Sequence, residues 1–229
     1  MKFQHRPLVR LTNRIGIAAL ALLLLPSLIA ALVYQGESGE SFSFLNHSLS
    51  ELGRYGTSPL AVLVNGGLFF GGLALTLSFI FSNWLINRSF RSPLLVCGVL
   101  LSLCLSGCGL FPVNVGTLHS KAMMAFYAMT IICALFYCRS ILVDKPPRWG
   151  VVPAVAAALF ASNLLFRDDA LLVLQDRYPF GLFGAERPLI WWPALLGWLL
   201  LVSVTLWLFY ALVLVFRDGE TEPQRPDPH

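Results

Sequence analysis

Three short polar stretches interrupt an otherwise apolar chain, and they hold most of the residues able to do chemistry. The first is Asn46-His47-Ser48-Leu49-Ser50-Glu51-Leu52-Gly53, which sets an imidazole, two hydroxyls and a carboxylate within five residues. In a helical conformation His47, Ser50 and Glu51 share a face through their i, i+3 and i+4 spacing. Such a set suits a proton relay, a lipid headgroup site or part of a metal site. It equally suits a plain helix start, with Ser48 or Ser50 as the N-cap and with His47 and Glu51 in solvent.

The second stretch is Gly109-Leu110-Phe111-Pro112-Val113-Asn114, followed by His119 and Lys121. Pro112 ends a helix, because the residue before a proline avoids helical geometry. His119 then heads the next helix near water, where an imidazole titrates around neutral pH. The third stretch runs from Arg167 to Ile190 and carries Asp168, Asp169, Asp176, Arg177, Glu186 and Arg187. Arg187 directly precedes Pro188 and can pair with a lipid phosphate or with Glu51, or simply snorkel to the interface. Asn65 is the most notable polar residue inside an apolar run. Its amide requires a partner on another helix or in the first polar stretch. The candidate site is therefore His47, Ser48, Ser50, Glu51, Asn65, Asn114, His119 and Arg187, with no metal and no cofactor assigned to it.

The elements that position these residues are membrane helices. The chain has 229 residues, 57% of them hydrophobic and 12% charged, with mean hydropathy +0.72. A soluble domain holds about 25% charged residues, so lipid must solvate this surface. Apolar runs lie at 15–34, 59–85, 93–112, 119–143, 149–166 and 191–216, each near the roughly 20 residues that span a bilayer. The first could pass for a signal peptide, but it is too long for an h-region and no Ala-x-Ala follows it, so it reads as an uncleaved helix. The expected fold is all-α: one six-helix transmembrane domain over 1–216 and a disordered, Pro-rich cytoplasmic tail over 217–229.

Basic residues orient the helices. With the N-terminus inside, 11 of the 16 Lys and Arg fall on cytoplasmic segments, namely Lys2, Arg6, Arg10, Arg14, Arg88, Arg91, Arg139, Lys145, Arg148, Arg217 and Arg225. Arg54, Lys121, Arg167, Arg177 and Arg187 fall outside. The expectation is N-in and C-in in the cell (inner) membrane, with all three polar stretches facing the exterior or periplasm. Trp191 and Trp192 would form an outer aromatic belt, and Trp84 and Trp149 an inner one. Gly67 and Gly71 form a GxxxG pair that permits close helix approach within the bundle. The cysteines Cys97, Cys104, Cys108, Cys133 and Cys138 all lie in apolar runs without CxxC spacing and read as small buried hydrophobes. The net charge of +4 is scattered over helix ends, which excludes a nucleic-acid surface. Membrane lipids are the expected partners.

The order of these motifs resembles a known family. His47-Ser48-Leu49-Ser50-Glu51-Leu52-Gly53, followed by Pro59 and Asn65, resembles the S-x-L-G … N start of the second helix in the bacterial and archaeal membrane family catalogued as domain of unknown function 998. The G-x-F-P element at Gly109–Pro112, with His119 after it, is similar to that family's second motif. Gly184-Ala185-Glu186-Arg187 resembles its third. The resemblance spans nearly the whole chain and implies six helices. It also implies a distant likeness to eukaryotic lipid-remodelling proteins of the Frag1/DRAM type. The family pattern often has an acid after its F-P, where this chain has Val113 and Asn114, so no carboxylate-dependent metal site is implied there. No particular activity comes with the resemblance.

Three functions compete. One is a non-enzymatic protein that binds or handles lipid headgroups through His47, Glu51, His119 and Arg187. Another is a membrane-embedded lipid hydrolase or transferase; a zinc version would need a third ligand such as Asp168 or Asp176, because His5 and His229 lie at the opposite face. The third is a small transporter, which needs intramembrane charges or broken helices; the apolar runs supply essentially none.

Overall fold

The structure is a computed structural model that describes residues 5–36, 39–85, 92–144, 148–166 and 187–221. Among these residues every regular element is helical. The chain forms α1 (His5–Val33), a four-residue α2 (Leu49–Leu52), α3 (Ala61–Leu85), α4 (Ser92–Leu110), a 3-10 turn at Val113–Val115, and α5 (Thr117–Asp144). A second 3-10 turn at Arg148–Gly150 precedes α6 (Val151–Leu165) and α7 (Trp192–Thr221). The six long helices occupy the six apolar runs. Within them Pro7–Val33, Ala61–Ser82, Thr117–Ser140 and Trp192–Val213 are long and apolar enough to cross a membrane. The apolar parts of the other two, Leu94–Leu110 and Val151–Leu165, are shorter.

Two boundaries differ from the sequence expectation. α1 begins at His5, so the stretch bearing Arg6, Arg10 and Arg14 continues the helix instead of preceding it. α7 continues to Thr221, so the first residues of the expected tail are helical. Both extensions are polar, and hydropathy alone cannot see a helix that outlasts its apolar run. The rest of the tail, Trp84's side chain and most of the Arg167–Ile190 stretch lie outside the described residues.

The helices pack as a closed ring: α3 lies between α1 and α4, then α5, α6 and α7 follow, and α7 returns to α1. Leu23, Leu75, Leu101, Tyr137, Leu200 and Leu212 are fully buried at its centre. Its outer surface is apolar too, with Leu32, Val62, Phe70, Leu135 and Leu159 all exposed. A surface of this kind is stable against lipid and costly in water.

Inside the ring, several hydroxyls bond to backbone carbonyls, as a dry interior favours, while Tyr137 Oη and Trp207 Nε1 are buried without a hydrogen bond. Thr76, Ser82, Ser102, Thr130 and Thr205 each donate to the carbonyl four residues back at 2.6–2.9 Å. Ser78 Oγ instead crosses to Thr12 O on α1 at 3.0 Å, and Ser106 Oγ to Phe69 O on α3 at 3.0 Å.

Glycines set how closely α3 approaches its neighbours. Pro26 has no N–H, which leaves Leu22 O without its helical donor. Gly67 covers that carbonyl so tightly that a Cβ would sit 2.5 Å from it. A Cβ on Gly72 would lie 2.5 Å from Ser106 N on α4. The glycines therefore serve packing within one bundle.

Gly66, one residue from Gly67, has open space where its Cβ would go. Gly66→Ala should leave stability unchanged or raise it by about 0.5–1 kcal/mol through helix propensity. Gly72→Ala should lower it by about 1–3 kcal/mol. Reversible unfolding in mixed micelles checks the contrast.

Candidate functional site

The cap of the bundle is built from residues 39–60, which link α1 to α3. The C-terminal ends of α1 and α4 and the N-terminal ends of α3, α5 and α7 meet beneath it, as the contacts of Tyr34, Asn65, Phe111, His119 and Trp198 show. All eight candidate residues lie at this end.

α2 is held locally by a capping box. Ser48 Oγ accepts from Glu51 N at 3.3 Å, and Ser48 N donates to Glu51 Oε1 at 2.8 Å. These two bonds satisfy donors that a helix start leaves open. The helix spans only Leu49–Leu52, with Ser48 as its N-cap, so His47 lies before it and does not share a helical face with Ser50 and Glu51. Ser48 is the cap, as one reading of the sequence has it, yet His47 and Glu51 are buried where that reading places them in solvent.

The buried carboxylate of Glu51 finds its counter-charge 136 residues away. Arg187 Nη2 donates to Glu51 Oε2 at 2.9 Å, and Nη1 donates to Oε1 at 3.4 Å and to Asn46 O at 2.7 Å. Asn46 Nδ2 answers by donating to Pro188 O at 2.9 Å. Two more bonds hold the cap to the start of α7: Trp191 N to Leu45 O at 2.9 Å and Trp198 Nε1 to His47 O at 2.9 Å. Trp191 is buried with Val113 and Ala194 and is not a belt residue, whereas Trp192 is exposed. Trp149, at the other end, is exposed as expected.

The two asparagines are clasps. Asn65 Nδ2 donates to Gly53 O at 2.7 Å, which ties α3 to the end of α2. Asn114 reads the backbone of Tyr55 on both sides: its Oδ1 accepts from Tyr55 N at 2.9 Å and its Nδ2 donates to Tyr55 O at 3.0 Å. Neither amide has to wait for a ligand.

The two histidines occupy different surroundings. His47 is buried among Tyr34 and Phe42, with ring centroids at 5.5 and 5.1 Å. Its Nδ1 accepts from Ser43 N at 3.2 Å, so the neutral ring carries its proton on Nε2. That Nε2 is buried without a hydrogen bond, and Glu40 Oε1 stands 3.9 Å from it. Burial, reinforced by the positive charge of Arg187, pushes the imidazole below its ordinary value of 6.5.

His119 is also buried, contrary to its expected place near water, because the cap covers the start of α5. Its Nδ1 lies 2.8 Å from Phe111 O and its Nε2 lies 3.1 Å from Ser50 Oγ. A carbonyl can only accept, so Nδ1 carries the proton in the neutral ring, and the Ser50 hydroxyl donates to Nε2. A hydroxyl hydrogen-bonded to an oriented imidazole acceptor is the arrangement that activates a serine nucleophile.

Sequence reasoning missed Ser43, Glu40 and Tyr34 as neighbours of His47, and Trp198 as a cap partner. Only Trp198, an amphipathic ring two turns into α7, carried a signal. The acids of the third stretch, including Asp168 and Asp176, lie outside the described residues. Among the described residues no three of His, Cys, Asp and Glu come together as a metal would require. No family model matches the chain, and no curated protein or solved structure matches it.

The depressed pKa of His47 makes the fold pH-sensitive. The unfolded chain takes the proton first, so stability is complete above about pH 6.5 and falls as pH drops below it. His47→Gln, which keeps an acceptor for Ser43 N, should flatten the decline in unfolding temperature between pH 7 and 5. An equal decline in both proteins would contradict this account of His47.

Proposed function

We propose that the chain is a six-span protein of the cell (inner) membrane, N-in and C-in, whose cap faces the exterior or periplasm and engages phospholipid headgroups. The orientation rests on the distribution of basic residues. The packing of the short helices α4 and α6 between longer neighbours supports a count of six. Membership of the domain of unknown function 998 family belongs to the same reading. Its first two motifs fall on the cap and on the His119 junction, and Arg187 closes the third; Gly184–Glu186 lie outside the described residues.

One observation carries the headgroup reading. In the Arg187–Glu51 pair the carboxylate side chain is 6% exposed and the guanidinium 22%. The pair turns its cationic member to the surface. A guanidinium has five donors in a planar fork, and one edge can hold Glu51 while another meets a phosphate. The surface around the pair is apolar: Phe44, Leu45, Ile190 and Trp192 are exposed, and Leu189 is 81% exposed. That rim suits the depth at which headgroup phosphates lie.

Native mass spectrometry of the purified protein tests the reading. Wild type should retain phospholipid through detergent exchange. A folded Arg187→Gln variant should retain several-fold less. Equal retention by the two proteins, or none by wild type, would contradict it.

A further inference from the structure

The headgroup reading leaves Ser50 and His119 unused, and their geometry asks for more than packing. His119 is held from two sides in the buried base of the cap. Phe111 O fixes one nitrogen as the donor, which leaves the other as a base aimed at a hydroxyl 3.1 Å away. A histidine placed only to fill space has no need of this tautomer. Ser50 is half-buried, while Ser48 beside it is buried and committed to the capping box. The Ser50 hydroxyl instead faces the imidazole.

The support beneath the pair is rigid. Asn65 pins Gly53, just past α2, and Asn114 pins Tyr55 from the 3-10 turn between Phe111 and His119. The Asn114–Tyr55 pair thus ties the nucleophile-bearing segment directly to the base-bearing segment, and Asn65 ties the end of α2 to α3. Catalytic groups need such fixed positions, since a small misplacement forfeits much of the rate. The surroundings also indicate a substrate class. Leu110 precedes Phe111 and Leu118 precedes His119, and both are exposed on the lipid-facing surface. An acyl chain lying along α4 and α5 would bring its ester to the level of the pair.

We propose that Ser50 is a nucleophile and His119 its general base in acyl transfer from a membrane lipid ester, an activity that rests on the cap's engagement with lipid. Ser50 Oγ attacks the ester carbonyl carbon as His119 Nε2 takes the hydroxyl proton. The tetrahedral adduct collapses, the bond from carbon to the alkoxy oxygen breaks, and His119 returns the proton to the departing alcohol. Water or the hydroxyl of a second lipid then gives its proton to His119 and attacks the acyl-serine. The acid or the new ester leaves, and Ser50 recovers its proton from His119. No electrons are gained or lost, and no metal takes part. Phe111 O is a positioning group: it keeps the base in the right tautomer, where a carboxylate serves in better-known triads.

The test uses an alkyl fluorophosphonate on the full chain in lipid nanodiscs, read by intact mass and peptide mapping. The expected result is one covalent adduct, on Ser50. Ser50→Ala should abolish it. His119→Gln, with its thermal stability checked, should label about 10²–10⁴-fold more slowly, the usual contribution of a general base. Absence of the adduct in folded wild type, or labelling indifferent to His119→Gln, overturns the proposal. Phospholipid retention is measured in parallel so that the two readings fail separately. Protein that retains phospholipid without forming the adduct overturns the chemistry alone. Protein that forms the adduct but retains no phospholipid overturns the headgroup reading alone.

Discussion

A buried carboxylate must have its charge answered, and at Glu51 that requirement organises the capped end of the molecule. Removing a carboxylate from water costs several kcal/mol unless hydrogen bonds and a counter-charge replace its hydration. Glu51 receives one bond from the backbone of its own turn, at Ser48 N, and two from Arg187. The local bond shapes α2, and the distant ones bring the approach to α7 onto the cap. With Arg187 in place, Asn46 and Pro188 meet, and Trp191 and Trp198 reach the backbone of Leu45 and His47. The remaining contacts of Asn65 with Gly53, Asn114 with Tyr55 and His119 with Ser50 complete a cap anchored to α3, to the α4–α5 junction and to α7.

The bundle below serves as a frame for that cap. Its ring closes because α7 packs against both α6 and α1, so the start of the last helix arrives beside the segment that follows the first. Hydroxyls that bond to helix carbonyls let the interior carry polar residues such as Thr76, Ser102 and Thr130. Glycines on α3 bring α1 and α4 close enough for Ser78 and Ser106 to bond across. The result is an apolar body with the candidate site residues gathered at one end.

Much of this was legible in the sequence, and the physics explains the remainder. Apolar length located all six bundle helices, and the cost of burying an amide marked Asn65 as a residue in need of a partner. For Arg187 the sequence left pairing with a lipid phosphate or Glu51 and plain snorkelling open, and the structure pairs it with Glu51. The face shared by His47, Ser50 and Glu51 was a misreading, because a capping serine at Ser48 stops the helical spacing one residue too soon. His119 looked hydrated because helix starts usually are; burial by a cap from elsewhere in the chain is a tertiary effect with no local signature. The pairing of Ser50 with His119 is likewise a matter of three dimensions. The residue types were visible, but the contact that gives them a chemical meaning spans 69 positions.

Residues from separate polar stretches form one energetic unit through Glu51 and Arg187. A double-mutant cycle on Glu51→Gln and Arg187→Gln, followed by reversible unfolding in mixed micelles, tests it most directly. Each single change should cost about 2–4 kcal/mol by leaving a partly buried charge without its partner. The double variant should cost clearly less than their sum, with a coupling of about 1–3 kcal/mol. Additive costs with no coupling would mean that the two side chains do not meet, and that the cap is not held as described.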